Sequence, residues 1–291
     1  MTNEESFKIL TENLRDFSKK QSISESQKEL TIRELAALLC TSAASIEEIM
    51  ARFKAHASDV SPRDEILLLS ELCRSELHDS IKSSLIIGST EPTAAGAHSK
   101  ISFVKNKYND IAFEHFSRSL TNAKPEYALS FKESCENVID GRSEFCILPL
   151  TNSSDGRLMS FYALLDRYEL KICETVDVED EELSKTVKYA RAGRFCKEPN
   201  ERLDANKSYT FEFSVIDSSG KFLPSLLLAA RELDACVTSI DSLPVEYAAH
   251  LQRFFISLAL PAKNILTLRL FIALSQQSYT PIGIYKEIKN T

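Results

Sequence analysis

Residues 1–90 carry a helical pattern of apolar positions. Apolar side chains recur every three or four residues from Phe7 to Phe17 and again from Ile32 to Phe53, which is the spacing of one helix face. Nothing breaks a helix between Gln27 and Ala57, so the pattern predicts a helix of about 30 residues there. The stretch "SPRDE" then begins another helix, with Ser61 as its N-cap. The first segment is therefore predicted to be all-α.

Residues 98–198 alternate between strand-like and helical patterns. The strand-like runs are "KISFV", "EYALSF", "EFCILPL" and "LKICETVDV", and the helical stretches between them are "YNDIAFEHFSRSL", "KESCENVID" and "LMSFYALLDRY". Strands that alternate with helices in this way predict a parallel α/β sheet. Two polar stretches, "GSTEPTAAGAHS" and "KEPNERLDANKS", flank the segment and have the composition of linkers.

Residues 207–291 show a different order of elements. The runs "YTFEFSVID", "CVTSIDSL", "QRFFISLAL" and "TPIGIYKEI" read as strands, and "LPSLLLAARELD" and "NILTLRLFIALSQQ" read as helices. The resulting β-α-β-β-α-β order is the ferredoxin-like arrangement. The predicted fold class is thus α/β overall, with an all-α first segment, a central parallel-sheet lobe and a ferredoxin-like last segment.

Charge and hydropathy exclude two classes of partner. The chain has 35 Lys and Arg against 42 Asp and Glu, a net charge of -7, and no basic stripe, so a nucleic-acid surface is not expected. No stretch approaches the roughly 20 apolar residues of a membrane span, and the acidic N-terminus does not resemble a signal peptide. These patterns predict a cytoplasmic protein.

The glycines and cysteines limit the available chemistry further. None of the seven glycines forms a phosphate-binding loop. The seven cysteines are widely spaced, with no CxxC pair and no histidine at metal-ligand spacing, which favours reduced buried thiols over disulfides or a zinc site. No metal and no cofactor is predicted.

The last segment resembles an ACT domain, and in particular the one attached to prephenate dehydratases. "VTSIDSLP" looks like that family's L-T-x-I-E-S-R-P motif with Leu243 in place of Arg, "GKFLPSLL" lies where its G-A-L motif lies, and "IGIY" matches its closing L-G-S-Y. In the family the first two motifs help to bind phenylalanine. The resemblance implies an aromatic amino acid as ligand, bound by Gly220, Phe222, Leu223, Asp241 and Ser242.

The central segment is similar to the first lobe of prephenate dehydratase. "LPLTNSSDGRL" resembles the family's P-I-E-N-S-x-x-G-x-V motif: Asn152, Ser153 and Gly156 match, and Thr151 stands where Glu is usual. The resemblance implies that Asn152 and Ser153 face a prephenate-like ligand. The residues alone allow a second interpretation, in which Ser153 or one of its neighbours caps a helix that starts near Gly156.

The same segment departs from the family at the positions that carry its chemistry. "VKNKYNDIAF" lacks the glycines of the family's G-P-x-G-T opening, and "YARAGRFCKEP" stands where the catalytic T-R-F motif is expected. Aligned on Lys197, Glu198 and Pro199, the Thr position holds Ala190, with Arg191 next to it as the candidate catalytic arginine; aligned on "GRF", the position holds Gly193. In the family a whole second lobe lies between the strand that ends in Glu and the T-R-F strand. Here only about 20 residues separate Glu174 from Arg194, so that lobe is expected to be missing.

Arg191 and Arg194 allow two interpretations. They could bind a carboxylate of a ligand through two parallel hydrogen bonds, or they could pair with the acidic run "VEDEE" on the solvent face. The second is the commoner role of an arginine near an acidic run.

The first segment resembles the chorismate mutase domain of bifunctional mutase–dehydratases. Lys54 and Glu65 lie near that family's Lys and Glu, which implies that they are its site residues. Ser42 stands where the family has an Arg, and Glu25 stands where another Arg is expected upstream. The mutase transition state is dianionic, so the lost cations predict little mutase activity. The spacing of Ala36, Cys40 and Ile46 also permits a helix-turn-helix, but acidic residues would then face phosphates.

Three functions follow from these resemblances. The favoured one is a catalytically degenerate member of the bifunctional family, a pseudoenzyme with a regulatory or binding role in phenylalanine metabolism. The first alternative is an active enzyme on prephenate, either a dehydratase or a decarboxylase. The second is an amino-acid sensor that works through the ACT-like segment. In each case a homodimer through the helical and ACT-like segments is expected.

Overall fold

The computed structural model describes most of the chain beyond residue 98 and parts of what precedes it. The described residues are 6, 8–10, 12–13, 25–42, 62–74, 99–180, 185–194, 207–218, 220–245, 248–275 and 279–288. The chain forms two compact units. The helical unit contains Met1–Ile86, Ile216–Val237 and Leu260–Tyr279, and the sheet unit contains Ile87–Val215, Thr238–Ala259 and Thr280–Thr291.

The helical unit packs helices from the two ends of the chain. They are α1 (Glu25–Ser42), α2 (Pro62–Arg74), α6 (Phe222–Glu232) and α7 (Ala262–Ser275). Helix α2 packs against α1 and also against α6 and α7. It therefore buries residues on more than one face: Ile66, Leu68, Leu69, Leu72 and Cys73.

The N-terminal predictions are met where they can be compared. Helix α2 begins at Pro62, as the "SPRDE" signal predicts, because Pro is pre-set for the first helical turn. The predicted long helix corresponds to α1 up to Ser42; its extension to Ala57, the N-cap Ser61, and the candidate residue Lys54 lie outside the described residues.

The sheet unit contains one sheet in which the strands of the two α/β segments are continuous. The strands are β1 (Lys100–Val104), β2 (Lys124–Ala128), β3 (Phe145–Asn152), β4 (Gly156–Arg157), β5 (Lys171–Asp180), β6 (Lys185–Gly193), β7 (Ser208–Ile216), β8 (Cys236–Val245), β9 (Ala248–Pro261), β10 (Tyr279–Tyr285) and β11 (Glu287–Ile288). Their order is β2-β1-β3-β6-β5-β10-β7-β9-β8, with β4 beside β3 and β11 beside β5.

The central lobe has a mixed sheet, where the sequence predicted a parallel one. Strands β1, β2 and β3 are parallel, but β6 lies between β3 and β5 and is antiparallel to both. Only residues 181–184 connect β5 to β6, and a parallel crossover needs a dozen residues or more. The chain must therefore return in the opposite direction.

The three helices of the central lobe contribute side chains to two apolar clusters of the sheet unit. They are α3 (Lys107–Ser117), α4 (Phe131–Ile139) and α5 (Met159–Arg167). One cluster includes Cys135 and Val138 of α4 with Tyr162 and Leu165 of α5. The other includes Ala112 and Phe116 of α3 with strand residues such as Phe103, Ile147 and Tyr189.

The last four long strands have the order of a ferredoxin-like sheet, β10-β7-β9-β8, as predicted. Gly283 of β10 lies opposite Ile172 of β5 and brings these strands against the central lobe. A Cβ at position 283 would lie 2.5 Å from the carbonyl oxygen of Ile172, so the close approach requires glycine. The predicted segment boundaries 1–90, 98–198 and 207–291 stay a prediction.

One cysteine departs from the prediction of reduced thiols. Cys73, Cys135 and Cys146 are buried free thiols, and Cys236 is free and exposed. Cys173 on β5, however, is disulfide-bonded. The prediction failed there because wide spacing along the chain does not keep cysteines apart in a folded protein.

Candidate functional site

The loop that matches the dehydratase motif is a tight turn between β3 and β4. We call residues 152–156 the 152–156 turn. The Asn152 Oδ1 accepts a hydrogen bond from the Ser154 amide at 2.9 Å, and its Nδ2 donates to Asp155 Oδ2 at 3.0 Å. This is the bonding of an Asx turn. Gly156 closes the turn with φ at 73°, a conformation that favours glycine.

Ser153 attaches this turn to the neighbouring strand β6. Its amide donates to the Thr186 carbonyl at 2.9 Å, and its Oγ accepts from the Thr186 amide at 3.0 Å. The predicted helix cap is therefore wrong: β4 follows the turn, and α5 begins only at Met159 with Leu158 as a cap that makes no side-chain bond. The polar residues of the turn bond to one another and to β6 instead.

Arg191 lies at the other end of β3. It stands opposite Ile147 on the β3–β6 ladder, whereas Asn152 stands opposite Val187. At about 3.3 Å per residue, Arg191 and Asn152 are roughly 15 Å apart. The structure thus brings Asn152 and Ser153 together and leaves Arg191 away from them.

The surroundings of Arg191 are those of a structural ion pair. Its Nη2 lies 3.0 Å from Glu174 Oε2, and its guanidinium lies over the Phe145 ring at 4.5 Å. Ser119 Oγ donates to the same carboxylate oxygen at 2.9 Å. Burial lowers the pKa of Arg191, and the Glu174 charge opposes that effect. The predicted pairing with the acidic run is therefore wrong: Arg191 stands opposite Glu174 on the antiparallel β5–β6 ladder, so Glu174 is its partner.

The sequence analysis missed a second buried arginine, Arg157, directly after the turn. Its Nη2 donates to Glu212 Oε1 of β7 at 2.5 Å and to Ser257 Oγ of β9. Its Nη1 donates at 3.0 Å to Asp241 Oδ2 of β8 and at 3.0 Å to the Phe255 carbonyl of β9. One guanidinium therefore bonds to three strands of the ferredoxin-like sheet. We call Arg157, Glu212, Asp241, Tyr162 and Ser257 the Arg157 network.

The network is almost completely buried. The side chains of Arg157 and Glu212 are 6% and 4% exposed, while that of Asp241 is 34% exposed. Tyr162 donates to both Glu212 oxygens at 3.1 and 3.3 Å, and its ring lies 4.4 Å from the guanidinium carbon of Arg157. Burial and then the charge of Glu212 raise the pKa of Tyr162 well above its usual value. Its hydroxyl is therefore protonated and donates at neutral pH.

A second ion pair joins the same elements. Arg253 of β9 donates to Asp166 Oδ1 of α5 at 3.0 Å and to Ser214 Oγ of β7 at 3.4 Å. The signal in the sequence is the alternation along β7, where buried polar side chains lie between buried apolar ones: Thr210, Glu212 and Ser214 between Tyr209, Phe211, Phe213 and Val215. A strand with two buried faces, one polar, indicates that the polar face packs against further protein.

The ACT-like candidates fall in both compact units. In the helical unit the Asp217 carboxylate accepts hydrogen bonds from the Gly220 amide at 2.9 Å and the Phe222 amide at 3.0 Å. Phe222 is buried and Leu223 is half-buried. In the sheet unit Asp241 bonds to Arg157, and Ser242 beside it is exposed.

The remaining candidates have little structure to support a site. Glu65 of α2 is half-buried, and burial raises its pKa. Within the described ranges, no three His, Cys, Asp or Glu side chains gather as metal ligands. In the same ranges no helix is long and apolar enough to cross a membrane.

Comparison with known proteins places the fold. No protein-family model and no curated protein matches the chain. A solved structure described as GqqA, a novel type of quorum quenching acylase, is 21% identical with a TM-score of 0.51, covering 64% of this chain and 94% of that one. Prephenate dehydratase from Streptococcus mutans is 14% identical with a TM-score of 0.50, covering 65% of this chain and 98% of that one. The chain thus has a prephenate dehydratase-like fold over about two thirds of its length.

Proposed function

We propose that the protein is a pseudoenzyme with a prephenate dehydratase-like fold, which has a binding or regulatory role in phenylalanine metabolism. The observation that carries this proposal is that the side chains of Asn152 and Ser153 are already hydrogen-bonded within the protein. Asn152 bonds to Ser154 and Asp155, and Ser153 bonds to Thr186. Groups that bind a substrate must have donors or acceptors directed at it.

The arginine and the missing hydroxyl support the same proposal. Arg191, the candidate for the family's catalytic arginine, is held by Glu174 at the end of β3 remote from Asn152. Ala190, where one alignment expects threonine, is fully buried in an apolar cluster with Cys146, Leu148 and Leu150. A hydroxyl at that position would enter the core, where no substrate could meet it.

The two structural neighbours explain why the fold does not by itself decide the activity. One is described as an acylase and the other as a prephenate dehydratase. One fold can host unrelated chemistry, because the reaction depends on the residues of the site. The proposal therefore rests on the bonding of the turn and of Arg191, and the alternative of a working enzyme on prephenate has no comparable support.

A sensor role is the second candidate, and the exposure of β8 favours it. Asp241 keeps 34% of its side-chain surface accessible, and Ser242 next to it is exposed. Under the ACT-like resemblance these two residues would contact an aromatic amino acid. Calorimetric titration with phenylalanine, tyrosine and tryptophan tests this role, which is excluded if none of the three gives a heat of binding.

A turnover assay tests the pseudoenzyme proposal. Pure protein is incubated separately with chorismate and prephenate, and phenylpyruvate is followed against a protein-free control. We expect no formation above the spontaneous rate. The proposal fails if phenylpyruvate forms at an enzyme-dependent rate that Asn152→Ala abolishes, and Glu174→Gln, which leaves the turn intact, is the matched control. The homodimer is tested separately by the molar mass in solution.

A further inference from the structure

The Arg157 network connects the 152–156 turn to strands that are distant in the sequence. Arg157 follows the turn immediately, and its partners lie 55 to 100 residues further along the chain. On β4, Arg157 pairs with Thr151, and Gly156 pairs with Asn152. One end of the turn is thus fixed by β3, and the other end is fixed by whatever holds Arg157.

The contacts of Arg157 differ in how accessible they are. Glu212 and Ser257 are fully buried, so they form a fixed anchor. The charge of Glu212 also helps to hold the pKa of Arg157 above its usual value, against the opposing effect of burial. Asp241, by contrast, is one third exposed and lies on β8, the last strand of the sheet. It is the one ionic partner in this network that a molecule in solution could reach.

We propose that Arg157 is the positioning residue of the 152–156 turn, and that its ion pair with Asp241 transmits changes at the β8 edge to this turn. A group that binds the Asp241 carboxylate or neutralises it weakens one of the two contacts of Nη1. The guanidinium is then held mainly through Nη2, and β4 gains freedom at the end of the turn. The coupling is reciprocal: a ligand that orders or displaces the 152–156 turn should change binding at Asp241 by the same free energy.

A buried ion network fits such a role better than a purely stabilising one. Hydrophobic replacements of buried ion pairs are often neutral or stabilising, so such pairs are weak evidence for stability alone. The network carries one cation and two carboxylates, and the second carboxylate, Asp241, is the accessible one. The ion pair of Arg157 with Glu212, which has no net charge, can persist when Asp241 binds another molecule.

Hydrogen exchange of the full chain tests the inference. The reporters are the Ser154 amide, which donates to Asn152 Oδ1 at 2.9 Å, and the Leu158 amide, which donates to the Leu150 carbonyl at 2.8 Å. We expect Asp241→Ala to accelerate exchange at both amides by about tenfold relative to wild type, a change of about 1.4 kcal/mol in local opening. Asp241→Asn should give a smaller acceleration, because it removes the charge and keeps an acceptor.

The matched control is Asp166→Ala. It removes a carboxylate that binds a different arginine, Arg253 of β9, also at 3.0 Å; the Asp166 side chain has a similar exposure, 28%, and it does not bond to Arg157. We expect it to leave exchange at Ser154 and Leu158 unchanged. Unchanged exchange in Asp241→Ala, or equal acceleration in both variants, would overturn the inference.

The inference relies on the proposed function only for the binding roles of the 152–156 turn and of Asp241 on β8. Exchange is measured without a ligand, so a negative result leaves the turnover assay untouched. Enzyme-dependent turnover of prephenate would in turn refute the pseudoenzyme proposal without affecting the link between Asp241 and the turn. The two outcomes can therefore be distinguished.

Discussion

Two buried arginines of the sheet unit, Arg191 and Arg157, differ in how far along the chain their partners lie. Arg191 pairs with Glu174, 17 residues away, on the neighbouring strand of one antiparallel pair. Arg157 bonds to residues of three strands that follow 55 to 100 residues later. Arg191 stands where a resemblance expects a catalytic arginine, and Arg157 stands at a variable position of its motif. The arginine without a predicted role is the one that joins the two α/β segments.

The difference teaches that a motif match and a structural role are separate matters. Arg191 is held by a local pair that a β-sheet forms whenever opposite charges face each other across two strands. Arg157 must be desolvated together with Glu212, and its position depends on the packing of three strands. The comparison can be tested by removing each arginine and by altering close contacts elsewhere in the sheet.

The largest effect is expected from removing the guanidinium of Arg157. In Arg157→Met the Glu212 carboxylate, 4% exposed, loses its cation, so the free energy of unfolding should fall by about 3 to 5 kcal/mol. Arg191→Met should cost only about 1 to 2 kcal/mol, because Glu174 is more exposed and keeps the Ser119 hydroxyl. Urea unfolding measures both, and equal losses would contradict the comparison.

The next effect concerns two glycines of the sheet, Gly283 on β10 and Gly193 on β6. In Gly283→Ala the new Cβ would lie 2.5 Å from a backbone oxygen, that of Ile172, so β5 and β10 must separate. We expect a loss of about 3 kcal/mol. In Gly193→Ala the nearest atom is Phe145 Cδ1 at 2.8 Å, a side-chain atom that can move.

Gly193→Ala should therefore cost about 1 kcal/mol, and it should loosen the stacking of Phe145 on Arg191. Thermal unfolding of both variants measures the difference. A larger loss in Gly193→Ala than in Gly283→Ala would show that the contact between β5 and β10 has little importance for stability.

Much of the fold could be predicted from the sequence, and the exceptions have physical causes. The strands with continuous or alternating apolar residues were identified, and so was the ferredoxin-like order. Strand β6 was missed because its sequence, "KTVKYARAG", has charged and small residues and no clear apolar pattern. It forms a strand because it lies between β3 and β5 in the sheet. The sheet is mixed because the connection to β6 is too short for a crossover.

The candidate site was predicted less well, because its bonds link distant residues. Asn152 and Ser153 were correctly placed at the end of a buried strand. Their partners, Asp155 and Thr186, depend on a hairpin-like return of the chain and on the unpredicted β6. Arg157 could not be identified at all, since Glu212, Asp241 and Ser257 become neighbours only when the two segments share one sheet.

The last comparison uses alkaline titration of two tyrosines, one on the strand of Arg191 and one in the Arg157 network. Burial raises the pKa of Tyr189, in the apolar cluster beside Arg191's end of β3, from 10.0 to about 12. A raised pKa contributes stability that is fully present below pH 10 and is lost as the pH rises through about 12. At pH 11, wild type should therefore have lost about 1.4 kcal/mol that Tyr189→Phe does not lose.

The stability that the neutral hydroxyl of Tyr162, in the Arg157 network, contributes should likewise be lost as the pH rises. Burial and then the charge of Glu212 raise its pKa well above the usual value, so its hydroxyl should remain protonated in the folded protein at a pH where an exposed tyrosine ionises. Ultraviolet titration of the folded Tyr189→Phe and Tyr162→Phe variants distinguishes the two hydroxyls. Ionisation of Tyr162 at the ordinary pKa of a tyrosine in the folded protein would contradict the described burial of the network.

A pair of double-mutant cycles tests the central contrast most directly. One cycle combines Arg157→Met with Glu212→Gln, the other combines Arg191→Met with Glu174→Gln, and urea unfolding gives the coupling free energy of each pair. We predict a coupling of about 2 to 3 kcal/mol for Arg157 with Glu212 and below about 1 kcal/mol for Arg191 with Glu174. Equal couplings, or a stronger one at Arg191, would contradict the assignment of Arg157 as the residue that joins the two segments.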